Sequence, residues 1–180
     1  MLFDPAQRSG CGLLSYTGAV QSLAERSRCA RETEVVNPMN FSGDPSHGSA
    51  SSQPLQDLMA TKAYIVEDNE LIRDNLVETL TELAGVQTVG FSTNEAEACY
   101  WLDRHPEDWD LLVVDLFLGQ GTGLGVLRKC AYRSAVQKVV VLSNYATAEM
   151  RTRCLACGAD AIFDKSTELD LFLDYCTARH

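Results

Sequence analysis

The residues whose types and positions point to chemistry are Glu67, Asp68, Asp115, Ser143 and Lys165. Each ends or follows a short, mainly apolar run: AYIV before Glu67 and Asp68, LLVV before Asp115, VVVL before Ser143, and AIF with Asp164 before Lys165. Three carboxylates crowded on one rim repel unless positive charge sits among them. An all-oxygen donor set with a hydroxyl and a lysine nearby suits Mg²⁺ and a phosphoryl group. In that chemistry Asp115, ending a buried strand, is the nucleophile toward phosphorus and forms an acyl phosphate. Glu67, Asp68 and Asp115 are the expected metal ligands, and Lys165 and the Ser143 hydroxyl each contact a phosphoryl oxygen. The protein then contributes mainly position and electrostatics, so five residues suffice.

Bringing five such residues together requires strands that point the same way. Five short strands read as 63–67, 86–91, 111–115, 138–143 and 160–164, and the runs at 111–115 and 138–142 are continuously apolar, as burial on both faces demands. Helices alternate with them. Leu71–Ala84 places Ile72, Leu76, Leu80 and Leu83 on one face, and Gly85 supplies the stop. Ser92–Thr93–Asn94–Glu95 reads as a capping box opening a second helix through Arg104. Further helices are expected near 123–133, 146–157 (ended by Gly158) and 167–178. Five β-α units in this length imply an α/β fold, a doubly wound parallel sheet covered on both faces. In such sheets the ligand crevice lies beyond the carboxyl ends of the strands, where the five residues fall.

Composition divides the 180-residue chain near residue 60. The first sixty residues hold four of the five prolines, nine serines and no lysine, and the stretch NFSGDPSHGSASSQP at 40–54 cannot bury enough apolar surface to offset chain entropy. Residues 1–60 are therefore expected to be a disordered or weakly helical tail, with a helix over 19–30 that nothing enforces, and 61–180 the folded domain. With 25 acidic against 15 basic side chains and a pI near 4.7, nucleic acid and anionic membranes are poor partners. No apolar run approaches the roughly 18 residues that span a bilayer, and a secretory signal is not supported. Seven cysteines, an odd count in irregular spacing, suit free thiols in a reducing cytoplasm.

The motifs resemble the receiver domain of two-component response regulators, from Thr61 to the C-terminus. The family's acidic pair matches Glu67 and Asp68 in YIVEDN, its phosphoacceptor Asp115 in LLVVDLFLGQGTG, its hydroxyl Ser143 in VVVLSN and its lysine Lys165 in AIFDKS. Asp115 lies 47 residues after Asp68, Ser143 lies 28 after Asp115, and Lys165 lies 50 after Asp115; Gly123 stands where the family places a glycine. The resemblance implies a five-stranded, flavodoxin-like sheet of order 2-1-3-4-5. It also implies a histidine kinase or phosphotransfer protein as donor, required Mg²⁺, and a surface on the fourth and fifth units that shifts to meet a downstream protein. It implies a phosphoacceptor and not an enzyme in the ordinary sense. Because the chain ends at His180 just after the fifth helix, no DNA-binding or enzymatic output domain is expected, and output runs through protein contacts.

The chain departs from the family pattern at several places. The switch aromatic's position holds Ile162, with Phe163 one place later on the opposite face of its strand. Lys165 is followed by Ser166 where the family has proline; a cis bond there without proline costs ~3 kcal/mol or more, so that peptide is either trans or strained. Asn144 stands where a small residue is usual. Phe117 and Tyr145, two after Asp115 and Ser143, hold positions that in this family tune water's access to the phosphoryl group, and their bulk predicts slow self-dephosphorylation.

Other features have plainer readings. Cys154 and Cys157, a lone CxxC on an amphipathic helix, read as core packing. The acidic side chains around the second helix, from Glu95 to Asp110, read as a solvated face. Gly119, Gly121, Gly123 and Gly125 read as a flexible turn in which Gly123 admits a tight conformation. His47, His105 and His180 are not placed as bases, and Trp101 and Trp109 read as packing residues. The same residues bear on two other functions. A non-phosphorylated scaffold of the same fold is disfavoured because all five site residues are present. A haloacid-dehalogenase-type phosphatase needs a second Asp where Phe117 stands.

Overall fold

The computed structural model describes residues 60–178; the expected tail and its helix over 19–30 lie outside them, as do His47 and His180. Five strands, β1 (Lys62–Val66), β2 (Gln87–Ser92), β3 (Leu111–Val114), β4 (Lys138–Ser143) and β5 (Ala161–Asp164), alternate with five helices. The helices are α1 (Glu70–Ala84), α2 (Glu95–Arg104), α3 (Gly123–Lys129), α4 (Ala148–Ala156) and α5 (Leu169–Thr177). All strand pairs are parallel, in the order β2-β1-β3-β4-β5. This is the flavodoxin-like sheet expected from the sequence.

Strand side chains alternate between two cores. Tyr64, Val66, Leu112, Val114, Val139, Val141 and Ile162 pack on the side of α2, α3 and α4, against Ala98, Leu102, Leu127 and Cys154. Ala63, Ile65, Leu111, Val113, Val140 and Leu142 face α1 and α5, through Ile72, Leu76, Leu80, Phe172 and Leu173. Neither face of β3 meets water, which is why that strand is apolar throughout. Cys154 is fully buried and both CxxC sulfurs are free thiols, so the motif is packing. Trp101 stacks on Tyr64 at 3.8 Å between centroids, and Trp109 is buried.

Helix ends are set locally. Gly85 closes α1 in the left-handed region, φ 63°, with its N–H donating to the Leu80 carbonyl. The start of α2 differs from the expected box. Asn94, not Ser92, is the N-cap: its side chain accepts from Glu97 N at 2.9 Å, and Glu97 reaches back to Thr93 N at 3.3 Å. Ser92 instead shares a hydrogen bond with the Tyr64 hydroxyl. Helix α3 stops four residues earlier than expected. Cys130 N is shared between the carbonyls of Val126 and Leu127, tightening the last turn, and the Arg133 guanidinium donates to Cys130 O and Gln137 O. With the cap at Asn94, Asn94→Ala should lower stability by about 1 kcal/mol in urea unfolding. No change would place the cap elsewhere.

Candidate functional site

The strand ladder extends one step past the strand ends and sets the site. Glu67 N donates to Ser92 O at 3.0 Å, Asp115 N to Val66 O at 2.9 Å and Lys165 N to Ser143 O at 3.3 Å. Each side chain therefore leaves the sheet at the same edge. Lys165 is buried and lies between two carboxylates, its Nζ 2.5 Å from Glu67 Oε2 and 2.9 Å from Asp115 Oδ2. Carboxylate oxygens of Glu67, Asp68 and Asp115 lie within 4.8 Å of one another, with Glu67 buried, Asp115 half-buried and Asp68 exposed. Ser143 is 1% exposed, and its Oγ has no hydrogen-bond partner. A buried hydroxyl without a partner is costly, so this one has capacity for an acceptor that comes from outside the fold.

Charge in this cluster does not balance. One lysine faces three acids. Burial pushes the Glu67 carboxyl up to about 7; Lys165 pulls it down, and the Asp115 charge adds to the rise. Burial alone would lower Lys165, but Asp115 and Glu67 together hold it above its ordinary value, so it stays an ammonium. Hard oxygen donors with surplus negative charge fit a divalent cation such as Mg²⁺. Glu67 Oε1 also accepts from Asn69 N at 3.3 Å, and Asn69 caps α1 through Ile72 N, which anchors the acidic pair to that helix.

The loops around the cluster explain the departures seen in the sequence. Ile162 is buried on the α4 side, whereas Phe163 points the other way and packs edge-on against Phe172, centroids 5.9 Å apart. The two do not exchange places. Every described peptide bond is trans, Lys165–Ser166 included. In place of proline, the turn after Lys165 is built by Asp164, whose Oδ1 accepts from Ser166 N at 2.8 Å and Thr167 N at 3.2 Å. Asn144 and Ser166, the two atypical residues, meet: Ser166 Oγ donates to Asn144 Oδ1 at 3.3 Å, linking the loops that follow Ser143 and Lys165. Phe117 and Tyr145 pack edge to face, centroids 5.2 Å apart, joining the loops after β3 and β4.

Two glycine readings change. The positive φ falls at Gly121, 81°, not at Gly123. Gly123 is required for a different reason, because a Cβ there would lie 2.2 Å from the Asp115 carbonyl oxygen. Glu95 does not belong to a merely solvated face: its Oε2 accepts from Thr122 N at 2.7 Å.

A family model for the response regulator receiver domain matches residues 63–176. The chain belongs to that family. Receiver domains accept phosphoryl groups, bind Mg²⁺ at an acidic pocket and interact with histidine kinases or phosphotransfer proteins. Among curated proteins, the chain is similar to protein-glutamate methylesterase/protein-glutamine glutaminase 5 of Myxococcus xanthus, 31% identical over 110 residues, 60% of this chain. It spans 31% of that relative's length. Among solved structures, a LuxR-family DNA-binding response regulator from Staphylococcus aureus aligns with TM-score 0.57 and 16% identity, covering 66% of this chain and 99% of that one. A Burkholderia pseudomallei response regulator carrying a phosphorylated aspartic acid, calcium ion and citrate aligns with TM-score 0.54 and 24% identity, over 63% and 64% of the two chains. At these identities the solved structures establish the fold. Among the described residues no helix is long and apolar enough to cross a membrane.

Because Glu67 is raised from 4.5 to about 7, the metal-free fold binds a proton more tightly than the unfolded chain. That contribution to stability is present below about pH 4.5 and is lost as pH rises through about 7. Unfolding in chelator should show this loss in the wild type and not in Glu67→Gln; equal slopes in both would contradict it.

Proposed function

We propose that this receiver domain takes a phosphoryl group from a phosphohistidine onto Asp115 and signals through protein contacts. The observation that carries this reading is the Lys165–Asp115 ion pair at the strand edge together with the buried Ser143 Oγ, which ends the neighbouring strand and has no hydrogen-bond partner. In the transfer an Asp115 oxygen bonds to phosphorus while the phosphorus–nitrogen bond of the donor breaks, and the imidazole leaves with the electron pair. Lys165 keeps its charge throughout and offers its ammonium to one phosphoryl oxygen, and the Ser143 hydroxyl donates a hydrogen bond to another. Glu67, Asp68 and Asp115 would hold Mg²⁺, which supplies neutralisation of the charge on the transferring group. The Burkholderia relative with a phosphorylated aspartic acid on the same fold supports this reading.

Loss of the phosphoryl group needs a water oxygen to bond to phosphorus as the Asp115 oxygen leaves, returning the carboxylate and inorganic phosphate. Phe117 and Tyr145 pack on each other across two loops beside Asp115, and this pair restricts the water's approach. Asn144, tied to Ser166, holds the residue next to Ser143. Output passes through the fourth and fifth units to a protein partner. With Ile162 buried and Phe163 committed to the other core, that output does not use an aromatic rotamer at position 162.

Incubation with acetyl phosphate and Mg²⁺ should add one phosphate by intact mass, abolished in Asp115→Asn and in chelator. Unchanged labelling of Asp115→Asn would overturn the assignment, and no labelling of the wild type would favour a scaffold. The Phe117→Ala, Tyr145→Ala double variant should lose phosphate about tenfold faster, a barrier change of about 1.4 kcal/mol. Equal lifetimes would remove the shielding role.

A further inference from the structure

The seven residues 119–125 of GQGTGLG contain four glycines, each at a close approach to another part of the site. A Cβ on Gly119 would lie 3.2 Å from Asp68 Oδ2, and one on Gly123 would lie 2.2 Å from the Asp115 carbonyl oxygen. The other two face one side chain. A Cβ on Gly121 would be 2.4 Å from Glu95 Cβ, and one on Gly125 would be 1.8 Å from Glu95 Oε1. Glu95 thus occupies a slot that exists only because both positions lack side chains. Within it, Oε2 accepts from Thr122 N at 2.7 Å, and Glu95 N donates to Gln120 O at 3.3 Å.

These contacts close a ring. The loop leaves β3 at Asp115 and returns where Gly123 N donates to Leu116 O at 3.0 Å. Its base is fixed at Asp115, its inner wall lies on Asp68, and its tip is held by Glu95 at the start of α2. Phe117 stands on the same loop, its N–H donating to Asp115 Oδ1 at 3.3 Å. A segment so rich in glycine has many other conformations open to it, so an anchor at the tip decides how well the rest is placed. Asp68 and Asp115 are proposed ligands, and Phe117 is the proposed shield. All three border this loop.

We propose that Glu95 is a positioning residue for the phosphorylation site: its carboxylate, seated between Gly121 and Gly125 and bonded to Thr122 N, holds the loop after Asp115 in the arrangement that retains the cation and shields the acyl phosphate. The proposal rests on the reading of Asp115 as phosphoacceptor. Glu95 touches neither cation nor phosphoryl group and acts through the loop. A typical intramolecular hydrogen bond has a net worth that corresponds to roughly threefold to tenfold in a rate or affinity.

The experiment compares full-length wild type with Glu95→Ala, Glu95→Gln, Gly125→Ala and Glu97→Ala, measuring Mg²⁺ affinity by calorimetry, loss of phosphate after acetyl phosphate labelling, and thermal unfolding. Glu95→Ala should lose phosphate roughly threefold to tenfold faster and bind Mg²⁺ correspondingly more weakly. Glu95→Gln keeps an acceptor for Thr122 N and should restore most of both. Gly125→Ala introduces a better helix former into α3 but displaces the carboxylate, so its unfolding temperature should hold or rise while its phosphate lifetime shortens. Glu97→Ala removes part of the α2 cap and leaves the loop alone; it should lower the unfolding temperature without changing the lifetime. Wild-type lifetimes and Mg²⁺ affinities in both Glu95→Ala and Gly125→Ala would overturn the role of Glu95 while leaving Asp115 as phosphoacceptor. A shortened lifetime in Glu97→Ala equal to that in Glu95→Ala would reduce Glu95 to a support of helix α2. A wild type that takes up no phosphate overturns both readings.

Discussion

An ammonium group buried to 1% exposure is tolerable only where opposite charge reaches it, and Lys165 meets that condition by lying between Glu67 and Asp115. The three residues come from the ends of β5, β1 and β3, so the contact closes only if the sheet has its observed order and all strands end at one edge. It also has a direction. Two carboxylates share one lysine and a third lies within reach, which leaves the cluster short of positive charge, while burial first and the Asp115 charge second push the Glu67 carboxyl up to about 7. The fold thus stores an electrostatic deficit at its edge, and a cation together with a phosphoryl group would answer it. Removing one member of such a buried set costs about 3–5 kcal/mol in general, because the remaining charges stay behind.

The loops convert this edge into a shaped site by hydrogen bonds that substitute for residues seen elsewhere in the family pattern. Beyond β5, Asp164 organises the turn through the N–H groups of Ser166 and Thr167. Glu168 accepts from Asp164 N at 2.8 Å and from Arg151 at 2.5 Å. Arg151 also donates to the carbonyls of Ile162 and Ala146, so α4, β5 and the loop before α4 are tied by one side chain. This is a polar connection between the fourth and fifth units. It stands on the face where an aromatic at position 162 is replaced by a buried isoleucine.

Most of the sheet and the five central residues were legible in the sequence, and for a definite reason. A strand buried on both faces must be apolar along its length, so the first polar residue after LLVV or VVVL marks both the strand's end and the rim. The α1 stop at Gly85 was equally plain, because only glycine takes the left-handed position cheaply. Other features depend on distant partners and left no local trace. Ser92 and Asn94 both suit an N-cap, and the choice fell to Asn94 because Tyr64, from a neighbouring strand, takes the Ser92 hydroxyl. Glu95 looked like one more exposed acid; its role follows from the glycines 26 and 30 residues later, whose alternation was visible but whose neighbour was not. Likewise the contact between Asn144 and Ser166 joins two residues that sequence spacing alone treats as separate oddities.

A structure of the protein bound to Mg²⁺ and beryllofluoride, a mimic of the phosphoryl group, tests the chemistry of Asp115 at the atoms concerned. Beryllium should lie on an Asp115 carboxylate oxygen, with fluorines within hydrogen-bond distance of Ser143 Oγ and Lys165 Nζ and the ion among the carboxylates of residues 67, 68 and 115. A Ser143 hydroxyl still without a partner, or an ion bound away from those three carboxylates, would contradict it.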